Sequence, residues 1–198
     1  MRQVKTIVKY FLALVLSPQE RWSYLTDRTL PEAQSEHVNQ HYYMPLMGFC
    51  AACMFLLRGM QGGESFNLEL ALKAGTAFLV AFLAGPYVAY FILKCVCYPA
   101  LKAIMMSDLR VDTERERFMV FVFYAMSFDM VMTVLSTLMH NFRFFDLLYL
   151  YLFGIVWAAS TPFLGVPATR RLSFSLVTTV GLFVSHWCVS WMLGLVGR

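Results

Sequence analysis

Long apolar tracts separated by short charged clusters constrain this chain more than any other feature. A mostly apolar tract of about 18 or more residues can cross a bilayer as a helix, because about 20 residues span a hydrocarbon core about 30 Å thick. Five apolar segments are legible, at about residues 43–57, 74–93, 118–139, 147–166 and 174–196. The first is short for a span. The second belongs to an apolar run reaching Met106, too long for one crossing, so its end is placed near Leu93. Lys94 then reaches for the surface and Pro99 and Lys102 mark an interfacial stretch. The fourth is bent or ended at Pro162.

Charged residues are only 14% of the 198 and hydrophobic residues 59%. A soluble domain carries about 25% charge, so there is too little polar surface here to coat a water-soluble globule. The expected fold class is all-α: a polytopic transmembrane helical bundle of about five spans over residues 42–198, behind a cytoplasmic segment of residues 1–41.

That first segment opens with an N-terminal amphipathic helix over residues 2–16. Arg2, Lys5 and Lys9 interleave with Val4, Ile7, Val8, Phe11 and Leu12 at helical spacing. Such a helix is interfacial and lies in the headgroup plane. A signal peptide is the weaker reading, because no small-x-small cleavage site follows and Pro18 comes directly after. Ser17, Pro18 and Glu20 read as a capping box opening a second helix, with Trp22 and Tyr24 as interfacial anchors. Pro31 opens a polar stretch through Gln40.

Basic residues set the orientation. Arg2, Lys5, Lys9, Arg21, Arg28, Lys94, Lys102, Arg110, Arg115, Arg117, Arg170 and Arg171 fall on one side; Arg58, Lys73, Arg143 and Arg198 fall on the other. Twelve against four predicts a cytoplasmic N-terminus and an external C-terminus. The net charge of +4 then reflects loops facing anionic lipid, not nucleic acid.

Asp129 stands in the middle of the third span, where a carboxylate costs about 2.5–3.5 kcal/mol on insertion scales and marks a candidate site. Thr133, Ser136, Thr137 and His140 share its helix face. The fifth span carries Ser175, Thr179, His186 and Ser190 on one face. Asp129 and His186 lie at similar depths in parallel spans, so a candidate intramembrane polar site of Asp129, Thr133 and His186 is expected. It acts either as a proton-carrying pair or as packing between helices.

Other clusters are weaker. Ala77, Ala81, Ala84 and Gly85, and Gly154 with Ala158, form small-residue faces for close helix contact, within the chain or between copies. Glu36, His37 and His41 supply half a zinc site, and Cys50 with Cys53 lack a second pair, so no metal or other cofactor is expected. The five cysteines read as small apolar residues. Residues 110–117 alternate in charge and read as a solvated loop or a docking surface. No phosphate loop, serine nucleophile or carboxylate pair appears, and no inverted repeat. The expected role is non-enzymatic: interaction, scaffold or membrane organisation, with the bilayer, other membrane proteins or a second copy as partners. The alternative is a small ion- or proton-coupled transporter or channel using Asp129 and His186.

The order of parts carries a family resemblance. A basic amphipathic start leads to Ser17-Pro18 with Trp22 four residues past the proline. Tyr43-Met44-Pro45-Leu46 enters the first span, and Phe121-Val122-Phe123-Tyr124-Ala125-Met126-Ser127 lies in the third. Leu148 to Gly154 follows, then Phe163-Leu164-Gly165-Val166-Pro167 before the last span. This resembles the Ypt-interacting-protein (Yip) domain family in its compact bacterial branch. The resemblance implies a five-span bundle with a cytoplasmic N-terminus. Its eukaryotic members associate with lipidated small GTPases and with one another in vesicle traffic. Their Asp-Leu-Tyr-Gly-Pro motif is matched here at Tyr43 and Pro45, with Met44 in place of the glycine, and their long polar N-terminal region has no counterpart. Both departures weigh against small-GTPase binding.

Overall fold

The computed structural model describes residues 2–61, 66–104, 115–139 and 150–196. Every regular element among them is helical and none is a strand. Four helices are long and apolar enough to cross a membrane: Ser35–Met60, Leu68–Ala103, Arg115–Leu138 and Ala168–Val189. The chain is therefore an all-α membrane-type bundle.

Helix α1 (Arg2–Leu16) and helix α2 (Pro18–Tyr24) are separated at Ser17. Pro18 restarts the helix at its first position, where a missing N–H costs nothing. The expected capping box does not form, since the Ser17 side chain makes no capping bond. A 3₁₀ turn (Pro31–Ala33) and α3 (Ser35–Val38) lead through a π-turn (Asn39–Tyr43) into α4 (Met44–Met60). The polar stretch is thus the first part of the first long helix, which starts well before the expected residue 43. The extra residue of a π-turn shifts the register of the side chains that follow. Tyr42 and Tyr43, consecutive in sequence, are both buried.

Helix α5 (Leu68–Ile92) is capped by Asn67, whose Oδ1 accepts from the Leu70 amide at 2.9 Å. A second π-turn (Leu93–Cys97) joins it to α6 (Tyr98–Ile104). The break expected at Leu93 is a change of helical register, and the helix continues; Lys94 bonds the Tyr90 hydroxyl one turn back. Pro86 lies inside α5 and has no N–H to give the carbonyl of Phe82. The Tyr43 hydroxyl donates to that carbonyl at 2.7 Å. A tyrosine of the neighbouring helix therefore replaces the bond that the proline removes.

Helix α7 (Arg115–Leu138) is the axis of the bundle, buried without interruption over residues 118–130. It packs on α4, α5, α3 and α1. The tract expected as a span over residues 147–166 is represented by α8 (Tyr151–Ser160), 10 residues long; residues 147–149 lie outside the described residues. At 1.5 Å per residue α8 covers about 15 Å, half a hydrocarbon core. The chain then turns at Gly165, whose φ of 68° favours a residue without Cβ. Helix α9 (Arg171–Val196) closes the bundle against α5 and α8. Gly181 lets it approach the second π-turn: a Cβ there would lie 2.5 Å from Leu93 Cδ2.

Side chains from residues 2–41 enter the core of the bundle. Leu14, Trp22, Leu25 and Val38 belong to the same hydrophobic cluster as α4, α5, α7 and α8. Trp22 is fully buried, its ring tilted against Phe121 and Phe163 and edge-on to Tyr124, so it is a core residue and not the interfacial anchor expected. The small-residue stripe on α5 is also displaced. The buried face is Ala71, Gly75, Phe78, Phe82, Gly85, Pro86 and Ala89, and Ala77 is exposed.

Candidate functional site: a buried carboxylate and imidazole

Asp129 lies fourteen residues beyond Arg115 on α7, and His186 fifteen beyond Arg171 on α9. At 1.5 Å per residue both stand about 21–23 Å from the starts of their helices. The two helices run the same way. Tyr98 touches Phe118 and Phe174, each in the first turn or so of its helix, and deeper down His186 meets Asp129. Matched depth on parallel helices is what brings the two side chains together.

His186 Nδ1 is 2.8 Å from Asp129 Oδ2. The Asp129 side chain is 5% exposed and that of His186 28%. Oδ2 has no aligned hydrogen-bond donor among the described residues, so the pair is close in distance and imperfect in angle. The Phe82 ring, 5.4 Å from the imidazole, closes one side. A carboxylate in such a setting is tolerable only with a partner, since removing one member of a buried pair strands the other. The arrangement can hold one proton between a carboxylate and an imidazole.

Thr133 lies one turn along α7 from Asp129. Its Oγ1 donates to the Asp129 carbonyl at 2.9 Å, within α7. Ser136 and Thr137 likewise bond the Thr133 carbonyl. Each of these hydroxyls bonds a carbonyl of its own helix, the ordinary local choice for Ser and Thr. His140 lies outside the described residues, as does the side chain of Ser190. Ser175 and Thr179 are buried on α9 and, with Thr178, lack hydrogen-bond partners among the described residues. Thr178 was missed in the sequence, although it lies three residues from Ser175.

A second buried polar cluster escaped sequence reading altogether. Arg21 is 8% exposed, and its Nη2 donates to the Tyr124 hydroxyl at 2.9 Å. The guanidinium also lies over the rings of Tyr10 (4.6 Å), Tyr24 (5.4 Å) and Tyr124 (5.5 Å). Tyr10 donates to the Glu32 carboxylate. Burial first, then that bond, raise the Tyr10 phenol above its ordinary range. Ser127 gives its proton to the Tyr124 carbonyl, so the Tyr42 hydroxyl is the donor in the 2.8 Å bond to Ser127. The signal available was an arginine flanked by Trp22 and Tyr24 in a segment otherwise lacking a place in the bundle.

His37 and His41 stack on one another, ring centroids 4.3 Å apart. Among the described residues no group of three or more His, Cys, Asp and Glu side chains converges as a metal site. All five cysteines are free. No protein-family model matches the sequence, and neither a curated protein nor a solved structure does so significantly.

Proposed function

We propose that the chain is a non-enzymatic integral membrane protein of Yip type. It crosses a bacterial cytoplasmic membrane five times and organises other membrane proteins, or copies of itself, through its outer faces. The observation that carries this reading is the unbroken burial of residues 118–130 of α7. The centre of the bundle is filled by side chains, including those of the N-terminal segment, and a filled centre suits packing and recognition.

Five crossings are supported by the parallel course of α7 and α9, since the chain between them must return through the bundle. The contacts of that connection descend accordingly: Tyr151 lies by Phe128 and Phe163 by Arg117. In this reading α1 lies along the membrane surface. Lys5 and Lys9 meet headgroups, while the exposed Val8, Leu12 and Leu16 enter the apolar boundary. The N-terminus is cytoplasmic and the end of α9 external. A small-GTPase partner has only the family resemblance behind it, and Met44 in the place of the motif glycine weighs against it.

The test is in-membrane crosslinking of tagged protein followed by mass spectrometry. A specific partner or a self-crosslink, lost on altering residues 110–117, is expected; residues 110–114 lie outside the described residues. A protein that crosslinks to nothing overturns the reading. The second reading, proton-coupled transport, is favoured by the 2.8 Å Asp129–His186 contact. It requires a proton flux in proteoliposomes that Asp129→Asn abolishes.

A further inference from the structure

A cavity of about 660 Å³ opens between the start of α2, the end of α8 and the start of α9. Its polar lining is Ser17, Gln19, Glu20, Ser23 and Arg171, and Trp157 forms an aromatic wall. The residues flanking this lining in sequence are apolar and point outward: Leu16 is 74% exposed and Leu172 55%. The cavity thus lies where an apolar outer surface gives way to a polar one. That is the boundary at which membrane proteins place tryptophan.

Arg171 is fixed in this cavity. Its Nε donates to the Trp157 carbonyl (3.0 Å) and to Ser160 Oγ (3.0 Å), and its Nη2 to the same carbonyl (2.7 Å). The guanidinium lies 4.5 Å from the Trp157 ring centroid. These bonds occupy two N–H groups of a guanidinium that carries five. The remaining edge is available to a planar pair of oxygens, the arrangement that suits phosphate. Glu20 is exposed, lines the same cavity and makes no ion pair among the described residues. A cation and an anion therefore share one cavity without meeting.

We propose that this cavity seats the headgroup of a zwitterionic phospholipid with a primary ammonium. The phosphate lies on the free edge of Arg171 and the ammonium on Glu20, with Leu16 and Leu172 guiding the chains. A headgroup with phosphate alone would leave Glu20 as an uncompensated like charge. A trimethylated amine would bring the cation without hydrogen-bond donors. The site rests on the reading that residues 17–23 lie at a membrane surface.

The test is native mass spectrometry of the full chain released from bilayers of equal phosphatidylethanolamine, phosphatidylglycerol and phosphatidylcholine. Wild type retains the ethanolamine lipid about threefold over the others, the scale of one exposed ion pair. Glu20→Gln brings retention to parity, and Glu20→Lys turns it toward phosphatidylglycerol. Ser23→Trp, which fills the cavity and leaves both charges, removes one bound lipid. Glu20 and Ser23 are exposed, so these variants fold. Lipid retained without headgroup preference, or a preference that survives Glu20→Gln, overturns the site and leaves the membrane placement intact. No retained lipid at all overturns both.

Discussion

Two charged side chains are buried at α7, one from a neighbouring helix and one its own, and they are surrounded differently. Arg21 lies against Tyr124, and Asp129 faces His186 little more than one turn further along. The arginine has one hydrogen bond and three aromatic faces, while its Nε has no aligned acceptor among the described residues. The aspartate has one partner, and its Oδ2 has no aligned donor among the described residues. A charge whose work is to fasten one segment to another is surrounded from several sides. A charge balanced on a single partner is held by one contact, and its protonation and that contact are coupled.

The difference has a direct consequence for stability. His186→Ala strands a buried carboxylate and is expected to cost about 3–5 kcal/mol, read as a fall in unfolding midpoint in mild detergent. Replacing both partners by leucine removes the charge as well and is expected to recover most of that loss. If the double variant is as weak as the single one, the pair is not the source of the cost. Arg21→Met comes second, at about 2–3 kcal/mol, from one charge-assisted hydrogen bond and the cation–π contacts. It leaves no unpaired cation behind. An Arg21 effect larger than that of His186 would invert the comparison.

A neutral contact sharpens the same point. Tyr43→Phe leaves the Phe82 carbonyl without a donor, because Pro86 cannot supply one. The expected cost is about 1–2 kcal/mol, the penalty of one orphaned buried acceptor. In a Pro86→Ala background the amide of residue 86 takes over, and the Tyr43→Phe effect is expected to shrink. A double-mutant cycle measures that coupling, and additive effects would separate the two residues.

Much of the frame could be read from residue order. The long apolar helices follow from composition and span length. The meeting of Asp129 and His186 follows from nearly equal offsets, fourteen residues behind Arg115 and fifteen behind Arg171, because depth in a helix is simple arithmetic. Features that depend on two distant residues could not be read that way. Pro86 falls inside the span expected over residues 74–93, and residue order does not reveal that Tyr43 serves the carbonyl it orphans. The two π-turns change register without a compositional signature, so Tyr42 and Tyr43 both turn inward where a regular count separates them. Trp22 has the composition of an interfacial anchor, and only the cleft between Phe121 and Phe163 makes it a core residue. Thr133 shares a face with Asp129, and its hydroxyl bonds the Asp129 main-chain carbonyl.

The smallest expected effect belongs to the outer part of the arginine cluster. Tyr10→Phe removes the hydroxyl donated to Glu32 and keeps the ring beneath Arg21. The expected cost is about 0.5–1.5 kcal/mol, the net worth of one hydrogen bond. Its pH dependence identifies the cause. The phenol is raised in the folded protein by burial and then by Glu32, so the folded state holds its proton more tightly than the unfolded chain. The contribution is complete below the unfolded value, about pH 10, and is lost as pH rises toward the folded one. Wild type should therefore lose stability above about pH 10 more steeply than Tyr10→Phe, and the two curves should converge. Parallel curves would mean that the hydroxyl proton is not what joins α1 to Glu32. Arg21 would then rest on the aromatic faces and Tyr124 alone, and the contrast with Asp129 would narrow to the number of rings around each charge.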